Sequence, residues 1–344
     1  MNRRLLLVMS LIIVLIAIGV AAVHMVEASG TIYIKADGSV EGTDKIQRVG
    51  DIYTFTDNIY DEIVVQRSSI VIDGNGYIVQ GTGTINSRGI YLDGIGNVTI
   101  RNTNIKGFYY GVLLKSTSHN VLCLNSITEN HEGGIGLYNS SYNSIVGNSI
   151  TNNAYGIEVY PSSNNSIIGN NIKNNSYGIE LYSSSNNSII GNNITNNGNG
   201  IYLRYSSNNS VVGNNITNNG NGIYISSSSN NSISGNNIIN NGEGLFLFSS
   251  SGSSIVGNNI TANRWQGIAL WWSSSNNISD NSITNNNDQG ISLTVYSNYN
   301  KICRNNIINN TYGIHAKAGG WELGRPMSSS NNTVYHNNFI NNQI

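Results

Sequence analysis

The amino-acid sequence predicts an all-β solenoid: a parallel β-helix of about a dozen rungs, where a rung is one full turn of the coiled chain. Two observations predict it, a repeat of about 22 residues with its clearest copy at 178–197 and aliphatic columns that alternate with polar positions. The repeat's glycine recurs every 22 or 23 residues, at Gly89, Gly111, Gly134, Gly156, Gly178, Gly200, Gly222, Gly244, Gly267, Gly290 and Gly313. Such a period is typical of stacked units rather than separate globular domains.

Four columns of the aligned repeat are aliphatic and predict the core. In the copy at 178–197 the first two hold Ile179 and Leu181, two residues apart, which is the period of a strand with one buried face. The other two columns hold Ile189 and Ile194 in the same copy. Each rung is therefore expected to supply about three short strands.

Polar segments that read Ser-Ser-Ser-Asn-Asn, Gly-Asn-Asn and Thr-Asn-Asn separate these strands. Gly and Asn tolerate the left-handed conformation that tight turns require. Asn stacked on Asn can also bond amide to amide along the axis. The many asparagines are therefore predicted to be structural. The repeat has no helical period, which disfavours a leucine-rich repeat, and it lacks the aspartates of a calcium-binding β-roll.

Charge and composition restrict the classes of partner. The chain carries 17 Lys and Arg against 18 Asp and Glu, and charged residues make up only 10%. Because no basic stripe is present, neither nucleic acid nor an anionic lipid surface is expected as a partner.

The N-terminus predicts export. Arg3 and Arg4 precede an apolar run over residues 5–23, and Ala28 closes a small-residue cleavage pattern. We therefore assign residues 1–28 to a signal peptide or an N-terminal membrane anchor, 29–60 to an N-terminal cap and 61–344 to the β-helix. The expected location is extracellular, at the cell surface or periplasmic, with residues 5–23 as a membrane tether if they are not cleaved.

The only two cysteines, Cys123 and Cys303, occupy one column of the repeat. Eight rungs of about 4.8 Å would separate them by roughly 40 Å, too far for an intramolecular disulfide.

The motif GI-x-L-Y-SSSNN-S-I-I-GNN-I-TNN resembles the right-handed parallel β-helix repeat of pectin-lyase-like proteins, especially those of the NosD type. The resemblance covers residues 89–344, and residues 69–77 resemble the rung that begins the coil in NosD-like proteins. It implies a right-handed coil. The functions that it implies are periplasmic copper delivery, polysaccharide lyase or epimerase activity, and roles in the cell envelope.

The outward positions beside the first strand vary along the repeat, and many are aromatic. An exposed aromatic band predicts a recognition surface for an extended polysaccharide or another surface polymer. The alternative is that the rings only stack on one another and stabilise adjacent strands, and the two roles are compatible. The predicted binding residues are Tyr138, Tyr155, Tyr160, Tyr177, Tyr182, Tyr202, Arg204, Tyr224, Phe246, Phe248, Trp271 and Trp272.

Glu158 and Glu180 share a column on successive rungs, so the sequence places them about 5 Å apart. That spacing suits the paired carboxylates of a retaining glycosidase, and like charges so close would raise one pKa. An exposed pair can separate in water, however, and no His or Arg column flanks it. The sequence therefore favours a binding protein, with a polysaccharide lyase, hydrolase or epimerase using this pair as the alternative.

Copper and structural roles complete the alternatives. Copper prefers Met, Cys and His, and His119, Cys123 and His131 are only weak candidates, so we predict no copper or calcium cofactor.

An insertion with Trp321, Glu322 and Arg325 is expected to form a wall at one end of the aromatic band. Because no C-terminal cap is evident, end-to-end self-association, or a purely structural envelope component, is a further possibility.

Overall fold

The computed structural model describes residues 30–317, 321–322, 325–326 and 328–343, and the chain from Thr31 onward forms one compact unit. The described residues form strands and turns without a helix, and three long parallel sheets run along the coil. The predicted parallel β-helix of about twelve rungs is confirmed. The expected signal or anchor segment, Met327 and the side chains of Lys317, Trp321, Glu322, Arg325 and Pro326 lie outside the described part.

Each rung supplies one strand to each sheet in a fixed order. The first sheet contains Val40–Glu41, Ile32–Ile34, Ile63–Val65, Arg88–Asp93, Tyr110–Lys115, Gly133–Tyr138, Tyr155–Tyr160, Tyr177–Tyr182, Asn199–Arg204, Asn221–Ser226, Glu243–Phe248, Ile268–Trp271, Gln289–Thr294 and Tyr312–Lys317. The second contains Ile46–Val49, Ile52–Phe55, Val71–Asp73, Thr99–Arg101, Val121–Cys123, Ser144–Val146, Ser166–Ile168, Ser188–Ile190, Ser210–Val212, Ser232–Ser234, Ser254–Val256, Asn277–Ser279, Lys301–Cys303 and Thr333–Tyr335. The third contains Ile78–Gln80, Asn104–Lys106, Ser126–Thr128, Ser149–Thr151, Asn171–Lys173, Asn193–Thr195, Asn215–Thr217, Asn237–Ile239, Asn259–Thr261, Ser282–Thr284, Asn306–Ile308 and Asn338–Ile340.

Two antiparallel pairs precede the first complete rung, which spans residues 63–80. Ile32–Ile34 pairs with Val40–Glu41, and Ile46–Val49 pairs with Ile52–Phe55. One strand of each pair then joins the parallel sheets, against Ile63–Val65 and Val71–Asp73 respectively. These pairs therefore lie where the first parallel strands would otherwise present open edges. A separate two-stranded antiparallel pair, Trp321–Glu322 with Arg325–Pro326, falls within the predicted insertion.

The four aliphatic columns form the core as predicted. Register places Ile179 between Ile157 and Ile201 in the first sheet, and all three side chains are fully buried. Burying such a side chain stabilises the fold by about 1.5–3 kcal/mol. Because each rung repeats the same four positions, the core is one continuous aliphatic column along the axis.

Buried asparagine ladders hold the corners between the sheets. At each corner a residue with left-handed backbone precedes the buried amide, as with Asn186, Gly191 and Asn196. Asn192 shows the hydrogen bonding: its Oδ1 accepts from the backbone N–H and the Nδ2 of Asn170, each over 2.9 Å. Its Nδ2 donates to the Ile167 carbonyl over 2.9 Å and to Asn214 Oδ1 over 3.0 Å. The predicted structural role of the asparagines is confirmed.

The ladder explains why one short amide recurs so often. Each buried Asn supplies both a donor and an acceptor to backbone groups that cannot reach water, and an unpaired buried group costs about 1–3 kcal/mol. All three corners carry such ladders, and the corner between the first and second sheets adds a column of serines: Ser184 donates to the Val159 carbonyl over 3.0 Å and accepts from the Ser162 N–H over 2.9 Å.

The positions of the cysteines agree with the sequence prediction. Both are free, and the parallel register separates Cys123 from Cys303 by eight strands of the second sheet.

Substitution of a ladder asparagine is expected to destabilise the whole coil. Asn192→Ala leaves the Asn170 N–H unpaired and removes one hydrogen bond to the Ile167 carbonyl, so we expect a loss of about 2–5 kcal/mol in the free energy of unfolding by guanidinium denaturation. The control Asn193→Ala removes an adjacent but exposed amide and is expected to cost less than about 1 kcal/mol. Equal losses for the two variants would contradict the proposed role of the ladder.

Candidate functional site

Outward-facing aromatic side chains of the first sheet form a stacked row along the axis. Five rings, Tyr155, Tyr177, Tyr202, Tyr224 and Phe246, lie on consecutive rungs. Their centroids are 4.8 to 6.0 Å apart and neighbouring planes differ by 10° to 18°. Since the ring separation follows the rung spacing, these rings cover one another's faces and turn their edges outward. The predicted strand-stabilising stacking is therefore present.

A second aromatic row runs beside the first. Tyr160 stacks on Tyr182 at 4.8 Å, and Tyr138 meets Tyr160 at a tilt of 44°. The row then ends, because Tyr205 meets Tyr182 edge to face at 82°. The exposed Arg204 guanidinium lies 5.3 Å from the centroids of both of those rings. Cation–π contacts of this kind hold a hydrogen-bonding guanidinium beside an aromatic platform.

The stacking also breaks at the tryptophans. Trp271 meets Phe246 at 80°, and Trp272 meets Phe248 at 74°. The two indoles are 43% and 41% exposed. The neighbouring outward positions hold small residues, Ala269 on the same strand as Trp271 and Ser292 and Thr294 on the next strand. The indoles therefore stand above a lower part of the same sheet face, and this part of the aromatic band offers ring surface to a ligand.

Tyr110 crosses the sheet face beneath the band. The next rung has glycine at both positions under its ring: a Cβ at Gly133 would lie 2.5 Å, and one at Gly136 3.1 Å, from Tyr110 ring atoms. The phenol thus spans a rung with no side chains in its path, and its hydroxyl reaches Glu158, 48 residues further along the chain.

Glu158 is held by two phenols. The Tyr138 hydroxyl donates to Glu158 Oε2 over 2.7 Å and the Tyr110 hydroxyl donates to the same oxygen over 2.8 Å. Burial raises the pKa of Glu158 above its usual range, and the two phenol hydrogen bonds oppose that rise. Burial likewise raises the pKa of Tyr110 far above its usual range, so this phenol remains a donor.

Glu180 lies directly opposite Glu158 in the register and has no hydrogen-bond partner among the described residues. Glu180 is only 8% exposed. The expectation that the carboxylates of this pair are exposed to water is therefore wrong for Glu180. Burial raises its pKa to about 7, Glu158 adds to the rise, and Arg204 opposes it. The two neighbouring carboxyls therefore differ. Two phenols donate hydrogen bonds to Glu158, whereas Glu180 has no such partner among the described residues and titrates near neutral pH.

The weak metal-ligand candidates are not brought together. His119 stacks on Tyr142 at 5.5 Å, while His131 lies beside Gly83. Cys123 is half-buried on the second sheet, next to Arg101. Within the described ranges, no group of three or more His, Cys, Asp or Glu side chains is arranged to hold a metal ion. This donor set does not fit a copper centre.

Sequence reasoning missed Tyr110 as part of the site. The available signal was the pair Gly133 and Gly136, two departures from the repeat that remove the side chains between Tyr110 and Glu158. It also missed Trp265, which lies on a 23-residue rung and is 47% exposed.

The coil and its outward aromatic rows define a protein of the right-handed parallel β-helix class. A family model described as "Periplasmic copper-binding protein (NosD)" matches residues 50–199 and 179–344. The chain belongs to the NosD family. No curated protein matches it in sequence.

Solved structures with the same fold are distant in sequence. A mutant of the periplasmic alginate epimerase AlgG is 18% identical over 89% of this chain and 83% of its own, with a TM-score of 0.68. The A-module of the mannuronan C-5 epimerase AlgE6 from Azotobacter vinelandii is 15% identical over 92% and 91%, with a TM-score of 0.57. The Dettilon tailspike protein is 18% identical over 75% and 62%, with a TM-score of 0.54. At these identities the likeness establishes the fold alone.

Within the described ranges, no helix has the length and apolar character needed to cross a membrane.

The burial of Glu180 predicts a specific pH dependence of stability. Its pKa is about 7 in the folded state against 4.5 for the free group, so between these values the folded chain binds more protons than the unfolded chain. Stability must therefore fall as pH rises from about 4.5 to about 7, by roughly 3 kcal/mol from this group. Guanidinium unfolding at a series of pH values should show a shallower fall for Glu180→Gln. The exposed control Glu129→Gln should retain the wild-type profile, and an unchanged profile in Glu180→Gln would refute the assignment.

Proposed function

We propose that this chain is an exported protein that binds an extended polysaccharide, or a similar surface polymer, along the aromatic face of its first sheet. The observation that carries the proposal is the break in ring stacking at Tyr182, Tyr205, Trp271 and Trp272, where aromatic surface and the Arg204 guanidinium face solvent together. Sugar rings present C–H faces to aromatic surfaces and hydroxyls to polar groups, and this face supplies both contacts.

The comparisons support the same class of ligand. Two of the structural neighbours are epimerases of alginate or mannuronan, and the family and AlgG are both described as periplasmic. These descriptions, with the N-terminal pattern of the sequence, support export to the periplasm or cell surface. The dispersed His and Cys residues do not support a copper-dependent step.

Removal of the outer rings is expected to abolish polymer binding. The triple variant Tyr160→Ala, Tyr182→Ala and Trp271→Ala removes exposed ring surface from three strands of the band. On a glycan array, and by affinity electrophoresis in the polymers that it identifies, we expect at least about tenfold weaker binding. A control that replaces Tyr60 and Tyr299, which are 57% and 63% exposed elsewhere, should bind like wild type. Unchanged binding by the triple variant would contradict the proposal that the aromatic face binds the polymer.

A second candidate function is polysaccharide modification by the acidic pair. The observation that favours it is the contrast between Glu158, which two phenols hold, and Glu180, which is unpaired with a pKa near 7. Environments that separate two carboxyls in this way suit one for proton donation and the other for a nucleophilic or charge-stabilising role.

This candidate makes its own prediction. If the pair is catalytic, incubation with the bound polymer produces new reducing ends, unsaturated ends or epimerised units within the chain. The rate of product formation then falls at least about a hundredfold in Glu158→Gln and in Glu180→Gln. The exposed Glu129→Gln variant should keep the wild-type rate. Polymer that is bound but chemically unchanged after long incubation would exclude this role and leave the binding function intact.

A further inference from the structure

An open depression lies at the corner between the third sheet and the first sheet, beside the aromatic face. Its volume is about 850 Å³, and it extends along several rungs. It is lined by Asn152, Asn153, Asn174, Asn175, Ser176, Tyr177, Asn196, Gly198, Asn199 and Asn221. No lining residue carries a charge, and seven of the ten are asparagines.

Several of these amides are free to bond a ligand. The Asn221 Nδ2 donates to Asn199 Oδ1 over 2.7 Å, which leaves the Asn199 Nδ2 protons and the Asn221 Oδ1 without a partner among the described residues. Asn174 and Asn196 are exposed at left-handed corner positions and make no side-chain hydrogen bond to another described residue. The wall of the depression therefore presents donors and acceptors in alternation, the pattern that matches hydroxyl groups, which both donate and accept.

A strip of bare backbone begins at Gly198 in this depression and continues along the corner. A Cβ on Gly198 would lie 2.4 Å from the Ser176 carbonyl oxygen, and Gly220 and Gly242 repeat the arrangement on the next two rungs. Trp265 lies at the end of this row of glycines. Its Cζ3 would lie 3.3 Å from a Cβ on Gly242, and its backbone N–H donates to the Gly242 carbonyl. The depression and this strip together form a shallow channel that runs about four rung spacings, or roughly 19 Å, from Ser176 to the exposed indole of Trp265.

Charge decides which class of polymer this channel suits. A uronate polymer carries a carboxylate on each sugar and needs basic partners, as anions generally do. The ten residues that line the depression include no basic side chain, while at the far end of the channel the Arg264 guanidinium lies 5.5 Å from the centroid of the Trp265 ring. The adjacent first-sheet strands from 133–138 to 268–271 place one Arg, Arg204, against the carboxyls of Glu158, Glu180 and Glu243, so acidic side chains outnumber basic ones on these strands. An anionic polymer would add negative charge beside these three carboxyls, which is unfavourable wherever they are ionised.

We propose that the channel from Ser176 to Trp265 is a binding subsite for a neutral, hydroxyl-rich polysaccharide. Asn199 and Asn221 bond its hydroxyls, and Trp265 packs against a sugar at the end. This inference rests on the proposed polymer-binding function and specifies its ligand as an uncharged glycan, in contrast to the alginate and mannuronan named for two of the structural neighbours.

The test compares the full chain on three soluble polymers: a neutral β-glucan, a neutral mannan and alginate. The variant Asn199→Ala with Asn221→Ala removes the channel amides. Its matched control, Asn193→Ala with Asn215→Ala, removes two exposed amides of the third sheet. These amides also bond between rungs, since the Asn215 Nδ2 donates to Asn193 Oδ1 over 2.9 Å. We expect binding to a neutral polymer at least about tenfold tighter than to alginate, and the channel variant at least about tenfold weaker than the control. Unfolding midpoints of both variants show that each is folded.

The outcomes separate this inference from the proposed function. Tighter binding to alginate, or equal binding by the channel variant and its control, overturns the neutral subsite even where the triple aromatic variant has lost binding. Loss of binding in the channel variant together with normal binding in the triple aromatic variant supports the subsite and overturns the aromatic face. Binding to none of the three polymers overturns the neutral subsite.

Discussion

The hydrogen bonds of the corner asparagines are the constraint on which the rest of the structure depends. A coil of parallel strands buries backbone N–H and C=O groups at each corner, where the strand ladders cannot pair them. Asn reaches the adjacent rung with both a donor and an acceptor, so the same solution repeats at Asn170, Asn192 and Asn214. These ladders and the aliphatic columns together occupy most positions of the repeat, and only the outward columns are free to vary.

The contrast between these repeated positions and the variable outward columns explains what could be predicted from the sequence. Ile179 and Asn192 were predictable because stacked positions share one environment, so each column reports its burial many times over. The burial of Glu180 and the bonding of Glu158 were not, and the bonding of Glu158 depends on Tyr110 reaching across Gly133 and Gly136. A contact made once, between rungs that depart from the repeat, leaves no periodic signal. Trp265, on a rung that is one residue longer than the preceding one, was missed for the same reason.

Regular stacking also limits what the aromatic residues can do. Ring separations of 4.8 to 5.0 Å at Tyr202, Tyr224 and Phe246 are set by the rungs, so a long regular row covers its own faces and stiffens adjacent strands. Recognition surface arises where the row changes column or residue size, at Tyr205 and at the tryptophans. Structural and binding roles thus divide along one face: the regular part supports the strands, and its interruptions meet the ligand.

The same reasoning shows why a shared coil does not carry over a shared substrate. The features that align this chain with its distant structural neighbours are core columns and corners, which repeat whatever the ligand is. Ligand class depends on outward charge, and here Glu180, a carboxyl that burial keeps partly protonated near neutral pH, shares a strand with Tyr177, which lines the uncharged depression. A face of this kind becomes more negative as pH rises through about 7, which increasingly disfavours an anionic polymer while leaving the hydroxyl contacts of a neutral one unchanged.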